Sequence, residues 1–405
     1  MKRLSQLDGI RGFAVAAVVL HHLAPLFGVG TGKKIAVLAL YRVLHVGWLG
    51  VDVFFVLSGF LITGIVLKDR EKPDFWKNFY LRRACRILPA FVVVFVITLV
   101  AAHFFLPTVP ITTGYVLAAT FFLANWAFVS FTEMPMLTHL WSLAVEEQFY
   151  FLWPQAAKRM KYASLFQLAL ALAVMSEVGR LGLSLLHVNP YIVYKITPTR
   201  IDGLSIGAAL AIGMTLQPVR EFLALWWRKI ALTCAVLLPV VFLMRGGSLF
   251  VFDAWSQVLA IPPTILLVAT LIYASVEGTL PAGMGKFLGS PVLTYLGRRS
   301  YALYLIHDPI SYAVQASRRS GYLSTVAPGV AMNVFLVVAI MAASLVLAEL
   351  SWRLIETPAQ NLRARLSRSN APRLSEKEAH ANFESDHLLP PSTPVAIKSP
   401  SGGVS

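Results

Sequence analysis

Acidic side chains are scarce in this chain, with 20 Asp and Glu among 405 residues against 35 Lys and Arg, and charged residues of all kinds reach only 14%. A water-soluble domain carries about 25% charged residues and about 45–50% apolar ones. Here the apolar share is 57% and the mean hydropathy +0.67, so the surplus faces lipid rather than water. Cysteine is nearly absent. Cys85 lies in a basic stretch and Cys234 in an apolar one, which excludes a disulfide framework. No internal repeat and no pair of broken helices in equivalent halves is visible, and that counts against an inverted-repeat transporter. A cleaved signal peptide is excluded as well, because Asp8, Arg11, His21 and His22 interrupt the first apolar stretch.

What the chain does have is a series of long apolar runs. Candidate spans are Ile10–Val29, Val46–Leu67, Ile87–Leu106, Thr112–Phe131, Leu140–Pro154, Tyr162–Leu186, Ile201–Leu216, Ile230–Met244, Gln257–Ser275, Ser300–Ala316 and Pro328–Leu350. A crossing needs about 20 apolar residues. The fold class is therefore an all-α polytopic membrane bundle, residues 1–360, rather than the two or three soluble domains that length alone suggests.

The net charge of +15 would point to nucleic acid in a soluble protein. Its distribution excludes that reading, since the basic clusters Lys68–Arg86, Lys158–Lys161, Arg220–Lys229, Lys286–Arg299 and Arg363–Arg373 behave as cytoplasmic loops do. Keeping Lys68–Arg86 and Lys158–Lys161 on one side requires an even number of crossings between them, where three candidates lie. One of Thr112–Phe131 and Leu140–Pro154 is then a partial or re-entrant span. That leaves ten crossings, with both termini cytoplasmic. Irregular backbone at membrane depth is tolerated only where it lines a cavity, so the exception marks a site. From residue 361 the chain turns to Arg, Ser, Pro and Glu, the composition of a disordered tail.

Ionisable groups inside spans are costly, and each is a functional candidate against the simpler reading of a structural pair or a snorkelling chain. Arg11 and His22 stand eleven residues apart, on one helical stripe and about 16 Å apart along the axis. A neutral imidazole suits a general base acting on a hydroxyl; the structural alternative is a histidine bonded to a backbone carbonyl. Arg82, Arg83 and Arg86 offer planar guanidinium groups to phosphates, or serve as anchors at the membrane face. Arg82 and Arg86, at i and i+4, share a face.

His139–Tyr150 holds the adjacent carboxylates Glu146 and Glu147 within an aromatic apolar run that includes Ser142. Glu146 and Tyr150 fall on one face and Glu147 is rotated away. Ser300, Tyr304 and His307 form another polar stripe. Asp52, Arg200 and Asp202 add charge inside the spans, with Arg200 and Asp202 best read as a structural pair.

Taken together, these segments resemble acyltransferase family 3, the membrane O-acyltransferases of the O-antigen and exopolysaccharide acetyltransferase type. The opening LDGIRGFAVAAVVLHH resembles the family's first motif, an Arg followed by an essential His, and selects His22 over His21. GVDVFFVLSGFLIT, FYLRRACRILP, HLWSLAVEEQFYFLWP, TRIDGLSIGAAL, GRRSYALYLIHDPI and SWRLIETP follow in the family's order, covering Leu4 to Pro358.

The resemblance implies transfer of an acyl group, acetyl by default, from cytoplasmic acyl-CoA to a hydroxyl of an envelope glycan or its lipid-linked precursor, in a bacterial inner membrane. It implies His22 as base or transient acyl carrier, Glu146 and Glu147 shaping the reaction chamber, and Arg11, Arg82, Arg83 and Arg86 holding the acyl-CoA. It implies no metal. Asp52, Ser142, Tyr150, Arg200, Asp202, Tyr304 and His307 would line the chamber. The form expected is a stand-alone one, without the fused hydrolase-like domain of some relatives. A small-molecule acceptor such as a macrolide, or a proton-coupled transporter using the same buried carboxylates and His22, are the alternatives.

Overall fold

A computed structural model describes residues 4–28, 35–129, 132–319 and 330–362. The expected tail from residue 361 lies, beyond residue 362, outside the described residues. Among those described there is no strand.

The chain begins with α1 (Ser5–Leu23), the short α2 (Pro25–Gly28) and α3 (Ile35–His45), from which a 3-10 turn leads directly into α4 (Gly50–Asp69). Next come α5 (Phe75–Phe105), α6 (Thr113–Thr120), α7 (Leu140–Arg159) and α8 (Tyr162–Leu185). The second half holds α9 (Pro190–Lys195), α10 (Asp202–Gly213), α11 (Gln217–Met244), α12 (Ala254–Val276), α13 (Ala282–Leu288), α14 (Pro291–Arg298), α15 (Ser300–Arg319) and α16 (Val330–Ser351). A π-helical turn, Trp352–Glu356, continues α16.

Six helical segments are long and apolar enough to cross a bilayer: Val37–Asp69, Phe75–Phe105, Tyr162–Leu185, Gln217–Met244, Ala254–Val276 and Ala331–Leu362. Such a set makes this a multi-pass membrane protein. Val37–Asp69 and Ala254–Val276 are 78% and 67% buried over their most apolar stretch, against 17–33% for the other four. The first two therefore form the interior of the bundle and the rest its rim. Rim side chains such as Phe105, Leu243 and Phe335 stand 78%, 71% and 62% exposed, as lipid-facing groups should.

The charged helices α1, α7 and α15 fall outside that set, although they are 19, 20 and 20 residues long. They carry the site. Of the two candidates for a partial span, Thr112–Phe131 is the broken one. Its helix α6 has only eight residues, about 12 Å at 1.5 Å per residue, and a 3-10 turn over Ala124–Val129 follows. Leu140–Pro154 is instead part of the continuous α7.

Glycine sets how closely α1 is held. A Cβ on Gly12 would lie 1.9 Å from the Leu293 carbonyl oxygen, and one on Gly297 would lie 1.8 Å from the Asp8 carbonyl oxygen. Helices α1 and α14 thus meet backbone to backbone, the small-residue packing typical of membrane helices. Gly297→Ala should lower stability by about 1–3 kcal/mol, read as an earlier melt of the detergent-solubilised protein. An unchanged melting temperature would show that this contact is looser than the structure has it.

Candidate functional site

Three adjoining cavities run along α1. The outermost, about 360 Å³, is bounded by Leu4, Asp8, Arg11, Arg83, Arg86 and Arg298, with Trp352, Glu356 and Gln360 closing one side. Arg11, Arg83, Arg86, Ser300 and Tyr301 also border the next, a chamber of about 80 Å³. Ser58, Ser142, Glu146, Tyr150 and Tyr304 complete the polar part of its wall. Val51 and Tyr304 then separate that chamber from a third cavity of about 100 Å³, where His21, His22 and His139 lie among Trp48, Trp141 and Tyr194. Arg11 opens this series and His22 ends it, as their spacing on one helix requires.

The cationic mouth is built by α1, α5 and α14. Arg83 and Arg86, at i and i+3, both face the chamber. Arg82 points elsewhere: its Nη2 donates to Asp69 at 2.8 Å and its Nε to the Asn78 carbonyl at 3.0 Å. Both i, i+3 and i, i+4 pairs share a face, so spacing alone could not choose between Arg82 and Arg83. Asp69 decides it, by drawing Arg82 into the α4–α5 turn. Arg298 was not foreseen, although it stands next to the stripe that begins at Ser300; it is 3.7 Å from Asp8 and borders the outer cavity.

The carboxylates of α7 take different positions. Tyr150 donates to Glu146 at 3.1 Å, and both line the chamber. Arg83 lies over the Tyr150 ring at 4.6 Å. Glu147 borders none of the three cavities, and its buried Oε1 has no hydrogen-bond partner. On the opposite wall Tyr304 Oη lies 2.6 Å from Ser142 Oγ and 3.0 Å from the His139 carbonyl. Two hydroxyls are therefore held together where the chamber meets the third cavity.

At His22, hydrogen-bond chemistry fixes the tautomer. Nδ1 lies 2.9 Å from the Val18 carbonyl, which only accepts, so the proton of the neutral ring sits on Nδ1. His307 agrees with this. Its own Nδ1 faces the Leu303 and Tyr304 carbonyls at 3.1 and 2.7 Å, leaving Nε2 as an acceptor 3.3 Å from His22 Nδ1. The lone pair of His22 is thus on Nε2, which has no partner among the described residues. The bond to a carbonyl and an open lone pair are here found on one residue, because they fall on different nitrogens.

Asp52, Arg200 and Asp202 border none of the three cavities. The pairing read from sequence is corrected: Arg200 donates to Asp52 at 2.7 Å, and Asp202 pairs with Arg180, which also holds Glu177. Arg200 and Asp202 begin one turn of chain, whereas Asp52 reaches Arg200 from α4 and Arg180 reaches Asp202 from α8. Sequence proximity gave no view of that crossing. Arg180, Glu177, Lys195, Glu133, His139 and Asp308 were all passed over. The signals available were ionisable groups within apolar runs, the i, i+3 spacing of Glu177 and Arg180, and the place of Asp308 beside His307.

The guanidinium groups at the mouth are able to hold an anion, and the imidazole at the far end presents a lone pair able to take a proton. The family model described as an acyltransferase domain matches residues 4–349, and the chain belongs to that acyltransferase family. It is 32% identical over 387 residues to the peptidoglycan O-acetyltransferase OatA of Listeria monocytogenes, covering 88% of this chain and 56% of that protein. To the O-acetyltransferase OatA of Staphylococcus aureus it is 28% identical over 381 residues, covering 88% and 57%. The chain thus spans little more than half the length of these relatives. No solved structure matches it.

Proposed function

We propose that this protein is a membrane O-acyltransferase that moves an acetyl group from acetyl-CoA to a hydroxyl of an envelope glycan. The observation that carries the reading is the cavity series, which begins at Arg11, Arg83 and Arg86 and ends at His22 Nε2. Coenzyme A carries a 3′-phosphate and a pyrophosphate, and a wide mouth with four guanidinium groups suits them. The peptidoglycan O-acetyltransferase activity of the Listeria monocytogenes relative supports a peptidoglycan-type acceptor. The charge pattern supports ten crossings, both termini in the cytoplasm, the arginine mouth on that side and a bacterial plasma membrane around the bundle. In that arrangement donor and acceptor approach His22 from opposite faces.

The donor's phosphates bind at the mouth, and its pantetheine arm runs through the chamber toward Tyr304. His22 Nε2 takes the proton of the acceptor hydroxyl as the oxygen attacks the thioester carbonyl. Ser142 and Tyr304 turn their hydroxyl protons toward the developing oxyanion. The carbon–sulfur bond then breaks, the proton on His22 passes to the departing thiolate, and ester and free coenzyme A leave by opposite routes. Glu146 holds Tyr150 and offsets part of the guanidinium charge.

Membranes given acetyl-labelled acetyl-CoA should place label in the glycan or lipid-linked fraction; label found nowhere but in acetate would sink the glycan reading. Arg86→Ala should raise KM for acetyl-CoA about 10- to 100-fold, the loss expected for charge-assisted hydrogen bonds, with little change in kcat. Arg82→Ala, whose guanidinium is held by Asp69, should leave KM nearly unchanged. Equal effects of the two would remove the distinction drawn here between them.

A further inference from the structure

His139 is 2% exposed, and its Nε2 is buried without a hydrogen-bond partner. Its Nδ1 faces the Asp308 carboxylate at 3.1 Å, so the ring is held from one side and its other nitrogen is left over. That ring borders the cavity in which His22 also lies. An unmet polar atom in a buried site is costly, and its place beside the proposed base calls for a ligand group to meet it.

The rest of the lining narrows the ligand. Lys195 is the only cation of fixed charge there, and both carboxylate oxygens of Glu133 lie within 3.0 Å of its Nζ. The cavity therefore asks for no anionic group. Trp141 and Tyr194 pack at 4.8 Å between ring centroids, and Trp48 meets Tyr194 at 5.6 Å. These rings suit the apolar face of a sugar. A hydroxyl can donate to His139 Nε2 or accept from it, and meets the orphan atom in either protonation state.

We propose that the cavity beyond Tyr304 is an acceptor subsite for a neutral pyranose, with the reacting hydroxyl at His22 Nε2 and a second hydroxyl of the same ring at His139 Nε2. This rests on the reading of His22 as the base. His139 would then be a specificity residue, choosing a polyol over a simple alcohol or water, while the donor site is left alone.

The test uses the full-length protein in detergent with acetyl-labelled acetyl-CoA and two acceptor probes, methyl β-N-acetylglucosaminide and the monohydric cyclohexylmethanol. Labelled acetate, formed when water replaces the acceptor, is counted in parallel. The wild type should favour the sugar by about tenfold or more in kcat/KM, the scale of one buried hydrogen bond left unmet. His139→Phe should lose that preference and keep acetate release, and His139→Gln, which can still bond Asp308 and present a polar atom, should recover part of it.

A wild type with no preference for the sugar, or unable to acetylate it, overturns the proposal without recourse to any variant. So does a His139→Phe protein that melts like the wild type and keeps its preference. The basis is checked separately: His22→Ala should lose both transfer and acetate release, and if it keeps both, the base assignment has failed rather than the acceptor subsite.

Discussion

His22→Ala should lower acetyl transfer by about 10²–10⁴-fold, the contribution of a positioned general base, while the protein still folds and binds acetyl-CoA. The side chain is half-buried, and of the groups it touches only His307 Nε2 loses a donor, at a long 3.3 Å. The Val18 carbonyl already belongs to a helix, and His307 keeps its own bonds to Leu303 and Tyr304. Removal therefore deletes the Nε2 lone pair and leaves the buried His307 Nε2 without its donor, a modest loss in stability that the binding measurement separates from the loss in rate. His21 is the internal control. It neighbours His22 with ring centroids 5.2 Å apart, but its Nδ1 bonds the His45 carbonyl at 2.9 Å on another side of α1. His21→Ala should therefore cost far less. Initial rates with labelled acetyl-CoA, beside a binding measurement on each purified variant, check both. Full activity in His22→Ala would sink the mechanism.

The largest effect on stability is expected at the buried pair of Arg200 and Asp52, both fully inaccessible. Arg200→Met leaves the Asp52 carboxylate buried with no counter-charge, which should cost about 3–5 kcal/mol. Arg200 is also enclosed by the rings of Tyr194, Trp141 and Phe55, 4.7, 5.5 and 5.6 Å from its guanidinium carbon, so some cation–π attraction is lost as well. Removing both charges is a different matter. Arg200→Met with Asp52→Leu should recover most of the loss, since replacing a buried ion pair by apolar groups is often neutral. Melting temperatures of the wild type, the single and the double variant in one detergent decide it. A single variant as stable as the wild type would mean that the pair contributes nothing.

The features legible in the sequence share one property, which is that they lie within a single helix. The common stripe of Arg11 and His22, that of Glu146 with Tyr150, and that of Ser300 with Tyr304 and His307 all follow from 3.6 residues per turn, and the structure places them as that geometry requires. Apart from the i, i+3 pair of Glu177 and Arg180, what spacing did not reveal lies where partners cross between helices. Arg200 turned to Asp52 rather than to its neighbour in sequence, Arg82 was claimed by Asp69, and the bonds of His139 to Asp308 and of Lys195 to Glu133 join elements 169 and 62 residues apart. The break in Thr112–Phe131 was foreseen only as one of two options. Charge counting could require an odd helix out, but hydropathy could not say which one.

Because Arg11 and His22 ride on the same rigid helix, the axial distance between the two residues is a fixed length of about 16 Å. Side-chain rearrangement cannot stretch it, and inserting one residue between them would swing His22 about 100° off its stripe. With acetyl-CoA as the proposed donor, helix α1 would work as a ruler cut to the donor's arm. A longer acyl group could not be admitted by lengthening the ruler, and would have to find its space past the histidine, in the cavity that the acceptor also needs.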